Sequence, residues 1–281
     1  MKQAFPTSTR PVVAFMTDFG TGDGDVGVLK GVALGIAPDA QFIDISHTVP
    51  PQNIASGAWI LATSYRYFPQ GTVFVCVVDP GVGSTRRPIA VHAGNWFFVG
   101  PDNGLFSYIF VEQPIHQGVA LSNAAYHLPQ VSSTFHGRDI FAPVAAHIAR
   151  GISLPQLGPQ IDSAMLQRID IGHATRQGTH IDAHVLHVDH FGNLVTNIPL
   201  RLVPDLFDST KVEMTFPAQS VVITERRRFF SDSPGEEVQD DTQPFIYGDS
   251  SGYVGVAVRN GNAAATLHIG DGEAITFVLE N

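Results

Sequence analysis

The chain has 281 residues, 44% of them apolar and 15% charged, with 26 Asp and Glu against 16 Lys and Arg for a formal net charge of −10. That length holds one large domain or two ordinary ones around a real core. The acidic balance excludes a nucleic-acid surface, which needs clustered Lys and Arg.

The first half alternates strand-like and helix-like segments. Strands are expected at Val12–Met16, Gln41–Ile45, Thr72–Val78, Ile89–His92 and Trp96–Val99, and helices at Val26–Ala37, Gln52–Tyr67 and Phe141–Arg150. Continuous apolar strands between helical patterns predict an α/β layer sandwich with a mostly parallel sheet. Pro101-Asp102-Asn103-Gly104 has the Asn-Gly signature of a tight reversal. From about Gly172 short strands follow one another: Gly178–Asp189, Lys211–Phe216, Ser220–Ile223, Phe245–Tyr247, Tyr253–Val258, Ala265–His268 and Ala274–Leu279. With turns such as Gly261-Asn262 between them, they predict a small β-barrel or sandwich. The expected division is an α/β domain over 1–165, a linker over 166–178 and an all-β domain over 179–281. Ser231–Thr242 (SDSPGEEVQDDT) reads as an exposed acidic loop, and Arg226-Arg227-Arg228 as a local feature beside it.

The single cysteine, Cys76, lies in the apolar run TVFVCVV, so there is no disulfide framework, and a small buried residue in a reducing compartment is expected. The N-terminus reads as carrying no signal peptide. No apolar stretch reaches the ~18 residues of a membrane span, and the expected location is cytoplasmic.

Five segments could carry chemistry. Thr17–Gly31 (TDFGTGDGDVGVLKG) contains G-x-G-x-x-G after a strand, the dinucleotide pattern, and Asp44 ends the next strand where a ribose-binding acid would sit. Yet Asp18, Asp23 and Asp25 would face a pyrophosphate with carboxylates, so the loop suits a neutral or cationic ligand that offers hydroxyls. Asp18 at a strand end is also explained as a turn former or helix cap. Asp79-Pro80-Gly81-Val82-Gly83-Ser84-Thr85-Arg86-Arg87 allows an Arg seven or eight residues on to fold back on the acid, either to orient a reactive carboxylate or only to brace a loop. Ser133-Thr134-Phe135-His136-Gly137-Arg138-Asp139 brings a histidine to a helix entry, where it is reactive or merely structural. Val188–Asn197 offers amides and the Phe191 ring to a nucleobase, or is a plain hairpin turn through Gly192-Asn193. Gly248–Tyr253 is a polar turn that suits a carboxylate or amine group. Asp18, Asp79, His47 and His136 could in principle assemble a metal-hydroxide site, but no H-x-x-x-H or H-E-x-x-H spacing supports one, and no metal is expected.

Taken together, TDFG, VDPGVGSTRR, PDNGL, STFHGRDIFAP, DHFGNLVTNI, SSGY and RNGNAA, in that order from about Val12 to Gly272, resemble the S-adenosyl-L-methionine (SAM) hydroxide adenosyltransferases, whose superfamily includes the fluorinase and chlorinase. The resemblance implies a homotrimer of two-domain subunits, with a C-terminal β-barrel and active sites between the N-terminal domain of one subunit and the C-terminal domain of its neighbour. It implies hydrolysis of SAM to adenosine and L-methionine, with SAM as substrate and no cofactor, and with Asp79, Arg86 (rather than Arg87) and His136 activating water. Asp18 matches the acid on the ribose hydroxyls, Asp189 the contact to the methionine amine and Asn193 that to adenine. Phe191 and Phe230 match aromatics flanking the base, Ser250 the methionine carboxylate contact, and Arg259 lies in the adenine-side loop. The halogenating relatives have a tyrosine where this chain has Asp79, which favours water over halide. Gln52 stands where the fluorinase has tryptophan, and Gly137 matches a small residue also seen in the chlorinase. Halide transfer and a non-catalytic SAM or adenosine binder are the alternatives.

Overall fold

The computed structural model describes residues 10–230 and 242–280. The chain forms two compact units that divide between Ile171 and Gly172.

In the first unit the strands are β1 (Val12–Thr17), β2 (Gln41–Ser46), β3 (Val73–Val77), β4 (Pro88–Ala93), β5 (Trp96–Pro101) and β6 (Ile115–Ala120). The helices are α1 (Asp25–Ile36), α2 (Ile54–Ser64), α3 (Ser107–Glu112), α4 (Ala142–Ala149) and α5 (Leu154–Leu157). They build one mixed sheet in the order β2-β1-β3-β5-β4-β6, parallel from β2 through β5, with β4 antiparallel to both its neighbours, β5 and β6. Alternate residues of β1 and β3 feed two cores. Val13, Phe15, Val73, Val75 and Val77 pack with Leu29, Ala33 and Val144 on one face. Ala14, Met16, Phe74, Cys76 and Val78 pack with Leu61, Phe106 and Ile109 on the other. Burial on both faces is why these strands read as unbroken apolar runs. Cys76 is fully buried, and burial pushes its thiol far up, out of the reactive range.

The second unit contains β7 (Thr175–Gln177), β8 (His180–Val188), β9 (Leu194–Pro199), β10 (Lys211–Phe216), β11 (Val221–Ile223), β12 (Pro244–Gly248), β13 (Tyr253–Val258) and β14 (Ala274–Glu280), with one short helix, α6 (Ala263–Leu267). The order is β11-β10-β14-β8-β9-β13-β12, with every neighbouring pair antiparallel and β7 beside β8. Arg226 forms an isolated bridge with Ile246, and the Arg227 N–H donates to the Ile246 carbonyl at 3.0 Å. The segment after β11 thereby meets β12 and nearly closes the sheet into a barrel. The arginine triplet is used locally: Arg226 donates to the Leu206 and Ser209 carbonyls, and Arg227 lies over the Phe245 ring.

Three expectations change. Ala265–His268 is not a strand. Asn262 caps α6 by accepting from the Ala265 N–H at 2.7 Å, the Ala-rich run propagates the helix, and His268 ends it in the left-handed region. Asn103-Gly104 makes no hairpin, because Pro101–Gly104 leads from β5 into α3 and the β4–β5 reversal falls at Gly94-Asn95. β9 runs through LVTNIP, a strand absent from the expected set. Of the acidic Ser231–Thr242 stretch, all but Thr242 lies outside the described residues. No described helix is long and apolar enough to cross a membrane.

Candidate active site

The parallel register of β1 on β3 pairs Thr17 with Val77. Asp18 and Asp79, which follow these strand ends, therefore emerge side by side. Because β2 lies on one side of β1 and β3 on the other, this is also where the strand order reverses, the usual ligand crevice of an open α/β sheet.

Asp79 and Arg86 form a pair with side-chain exposures of only 4% and 9%. Arg86 Nε donates to Asp79 Oδ1 and Oδ2 at 3.0 and 2.9 Å, and Nη2 adds a further bond to Oδ2. Arg87 makes no claim on Asp79. It pairs with Asp102 and donates to the Met165 carbonyl. Arg86 Nη2 also meets His136 Nδ1 at 2.8 Å. A guanidinium only donates, so Nδ1 accepts and the imidazole proton sits on Nε2, a tautomer inferred from the partner. Burial, and next the Arg86 charge, hold His136 below its ordinary pKa of 6.5, while Asp79 and Asp139 pull upward. The Arg86 Nη1 N–H is buried and finds no acceptor among the described residues.

Local chemistry positions each group. The Asp79 turn is closed by Val82 N–H on the Asp79 carbonyl and by Ser84 Oγ on the Gly81 carbonyl. Gly83 has φ +76°, and a Cβ there would stand 2.3 Å from the Ser133 carbonyl oxygen, so only glycine lets this turn approach the histidine segment. That segment is organised by Asp139, fully buried, which accepts from Ser132 N and Oγ at 2.8 and 2.7 Å and from Arg138 Nε at 2.6 Å. Gly137–Phe141 then forms one π-helical turn, a departure from α geometry common at functional sites, and His136 stands at its entrance. The structure thus brings Asp79, Arg86 and His136 into one network.

Asp18, Phe19, Gln52, Val77, Asp79, Pro80, Val82 and Thr134 to Gly137 line a cleft of about 240 Å³. Asp18 Oδ2 accepts the Gln52 N–H at 2.8 Å, and Gln52 is held at φ 63°, a conformation rare for a residue with a side chain. Phe19 packs edge-on against Phe135. Phe19, Thr134 and Phe135 carry no signal in the sequence beyond lying next to Asp18 and His136. Asp44 and His47 play other parts: Lys30 and His47 hold Asp44, and both His47 ring nitrogens are engaged within the protein. Among the described residues no three His, Cys, Asp or Glu side chains converge so as to hold a metal.

In the second unit, Phe191, Asn193, Phe230, Val258, Arg259, Asn260 and Gly261 line a pocket of about 600 Å³. Phe191 is 73% and Phe230 48% exposed, unusual for such rings. Asp189 lies outside that lining and braces its own turn: Oδ1 accepts from Phe191 N and Asn193 N, and Oδ2 from Asn193 Nδ2. That leaves the Asn193 amide oxygen free of this bond. Ser250 is exposed at the tip of a turn closed by Asp249 and also lies outside the lining. The turn through Gly192-Asn193 and the pocket lining therefore share the same residues.

The class is defined by a mostly parallel α/β unit holding a buried carboxylate–guanidinium–imidazole network, joined to a barrel with an aromatic-walled pocket and lacking a phosphate loop. The chain belongs to the SAM hydroxide adenosyltransferase family. Residues 13–158 match that family's N-terminal domain and residues 183–276 its C-terminal domain. The chain is 38% identical over 266 residues to the (R)-S-adenosyl-L-methionine hydrolase of Salinispora tropica, covering 94% of this chain and 97% of the relative. It is 36% identical to the Thermus thermophilus hydrolase over 276 residues, covering 96% and 100%. A fluorinase of Actinopolyspora mzabensis is 25% identical over 95% of this chain and 97% of its own. The crystal structure of an uncharacterized conserved protein from Thermotoga maritima superposes with a TM-score of 0.85 at 32% identity, covering 95% and 99%.

Proposed function

We propose that the chain hydrolyses SAM to adenosine and L-methionine. The observation that carries this reading is the buried Asp79–Arg86–His136 network beside Asp18 at the β1/β3 crevice. Water attacks the ribose 5′-carbon in line with the sulfonium. The new C–O bond forms as the C–S pair goes to sulfur, leaving a neutral thioether that needs no acid. Positioning supplies much of the acceleration. With Nδ1 committed to Arg86, His136 offers its Nε2–H to the water oxygen, and the unpartnered Arg86 Nη1–H is a second donor suited to developing hydroxide. Asp79 is the group left to take the proton. Asp18 holds the ribose hydroxyls. In the second unit Phe191 and Phe230 sandwich adenine, Asn193 reads its edge, Arg259 flanks it, and Asp189 and Ser250 meet the methionine end. Turnover in oxygen-18 water should place one label on the adenosine 5′-oxygen. Unlabelled adenosine, or product only with added halide, would overturn the proposal.

The working assembly is a homotrimer whose sites draw on neighbouring subunits. Co-assembly of Asp79→Ala chains with Phe191→Ala chains should then restore activity that neither has alone. Failure of mixed assemblies to regain activity rejects the shared site.

A further inference from the structure

A chain of side chains runs behind the cleft without touching it. Lys30 Nζ, from α1, donates to Asp44 Oδ2 at 2.6 Å. Asp44 Oδ1 lies 2.9 Å from His47 Nε2, and His47 Nδ1 lies 2.9 Å from Thr17 Oγ1. Thr17 is fully buried and His47 is 6% exposed, whereas Asp44 reaches solvent. Lys30 and His47 keep the Asp44 carboxyl below the usual range, against burial, which acts the other way and is the largest single influence. An ionised Asp44 only accepts, so a neutral His47 carries its proton on Nε2 and its Nδ1 accepts from the Thr17 hydroxyl, a tautomer inferred from the partners. That fixes the Thr17 oxygen with a lone pair toward the Phe19 N–H, which donates to it at 3.3 Å. His47 also grips the turn through its backbone: the Gly20 N–H donates to its carbonyl at 2.7 Å. The Thr17–Gly20 turn is therefore tied at both ends to one histidine, and the residues between are the cleft-lining Asp18 and Phe19.

We propose that His47, acting through Thr17 and oriented by Asp44 and Lys30, is a positioning residue that sets Asp18 and Phe19 for ligand binding. The proposal rests on the reading of the cleft as the ribose site. Its effect falls on binding, because the network is attached to the turn carrying Asp18 and not to Asp79, Arg86 or His136. The arrangement has the order of a hydroxyl–imidazole–carboxylate triad, but Thr17 Oγ1 is buried inside β1 and attacks nothing.

The test is Thr17→Val, which keeps the strand shape and removes the hydroxyl, beside Thr17→Ser, which restores it, and His47→Ala. Steady-state kinetics on SAM and equilibrium binding of adenosine are measured for each. The expected result for Thr17→Val and His47→Ala is a KM raised about tenfold, kcat within about twofold of the parent, adenosine affinity weakened in step and recovery in Thr17→Ser; tenfold corresponds to about 1.4 kcal/mol of binding. Loss of thermal stability with KM unchanged would make the network merely structural, and a fall in kcat alone would place its effect on the chemistry; either overturns the proposal. Absence of turnover in the parent protein would instead sink the hydrolase reading, and adenosine binding by the variants still decides the role of His47.

Discussion

Replacing Asp79 with alanine should lower kcat about 10²–10⁴-fold, the range set by losing a positioned proton acceptor. It should also cost the fold about 3–5 kcal/mol, because it leaves a buried guanidinium unpaired. Both effects come from one geometry. The Asp79 carboxylate binds Arg86 through Nε and Nη2, and the same Nη2 orients His136. With the carboxylate gone, Arg86 retains only the neutral imidazole and its stacking near Phe141, 5.3 Å from the ring centroid. The two effects separate in a double variant. Asp79→Ala with Arg86→Leu removes the stranded charge and should recover most of the lost stability in denaturant melts, since an apolar pair of similar volume often replaces a buried ion pair without loss. Activity should remain lost. A double variant as unstable as the single one would show that the turn itself, not the charge, had failed. An Asp79→Ala protein with near-parental kcat would remove Asp79 from the chemistry.

Much of this site was legible in the chain because its parts are local. Asp18 and Asp79 follow apolar runs, and strand ends in an α/β sheet are where ligands bind. The seven-residue step from Asp79 to Arg86 spans one turn with Gly81 and Gly83 inside it, enough to fold back, and the structure shows that pair rather than one to Arg87. What spacing could not give is contact between distant segments. His136 joins Arg86 across 50 residues, and the approach depends on a Gly83 that reads in sequence as one glycine among 27. His47 is a second case: the sequence could place it with Asp18, Asp79 and His136 only as a candidate set that no spacing supported, and its actual contacts, Thr17 and Asp44, depend on the fold. In the barrel, Ala265–His268 looked like a strand because apolar residues at short spacing fit either period, and only the Asn262 cap decides for the helix. The dinucleotide-like glycines of the first loop have a comparable explanation. Gly20 takes the left-handed turn after Asp18, while a Cβ at Gly22, Gly24 or Gly27 would meet no protein atom, so the fold itself requires glycine at none of these three.

The acid limb of the pH profile is the sharpest test of how His136 works. Its Nδ1 must accept from Arg86, so a proton there sets imidazolium against guanidinium and breaks the contact. Burial and Arg86 depress its pKa, with Asp79 and Asp139 opposing, and His127 is close enough to feel a charge on His136 itself. kcat/KM, which reports the free enzyme, should therefore be flat near neutrality and fall with unit slope through a midpoint below the ordinary 6.5. Asp79→Asn removes an upward pull, so the His136 midpoint, followed by NMR of its ring protons, should move lower still. The stability sign agrees. A histidine with a depressed folded pKa contributes stability that is complete above the unfolded value and is lost as pH falls through the folded one. His92, His127, His147 and His187 are depressed as well, each chiefly by burial. Melting temperature should thus drop between about pH 7.5 and about pH 5.5, and His136→Gln should soften that drop. A midpoint at or above the ordinary histidine value would mean that the imidazole donates to its neighbour instead of accepting from Arg86, and would overturn the proposal that His136 holds the water through Nε2–H.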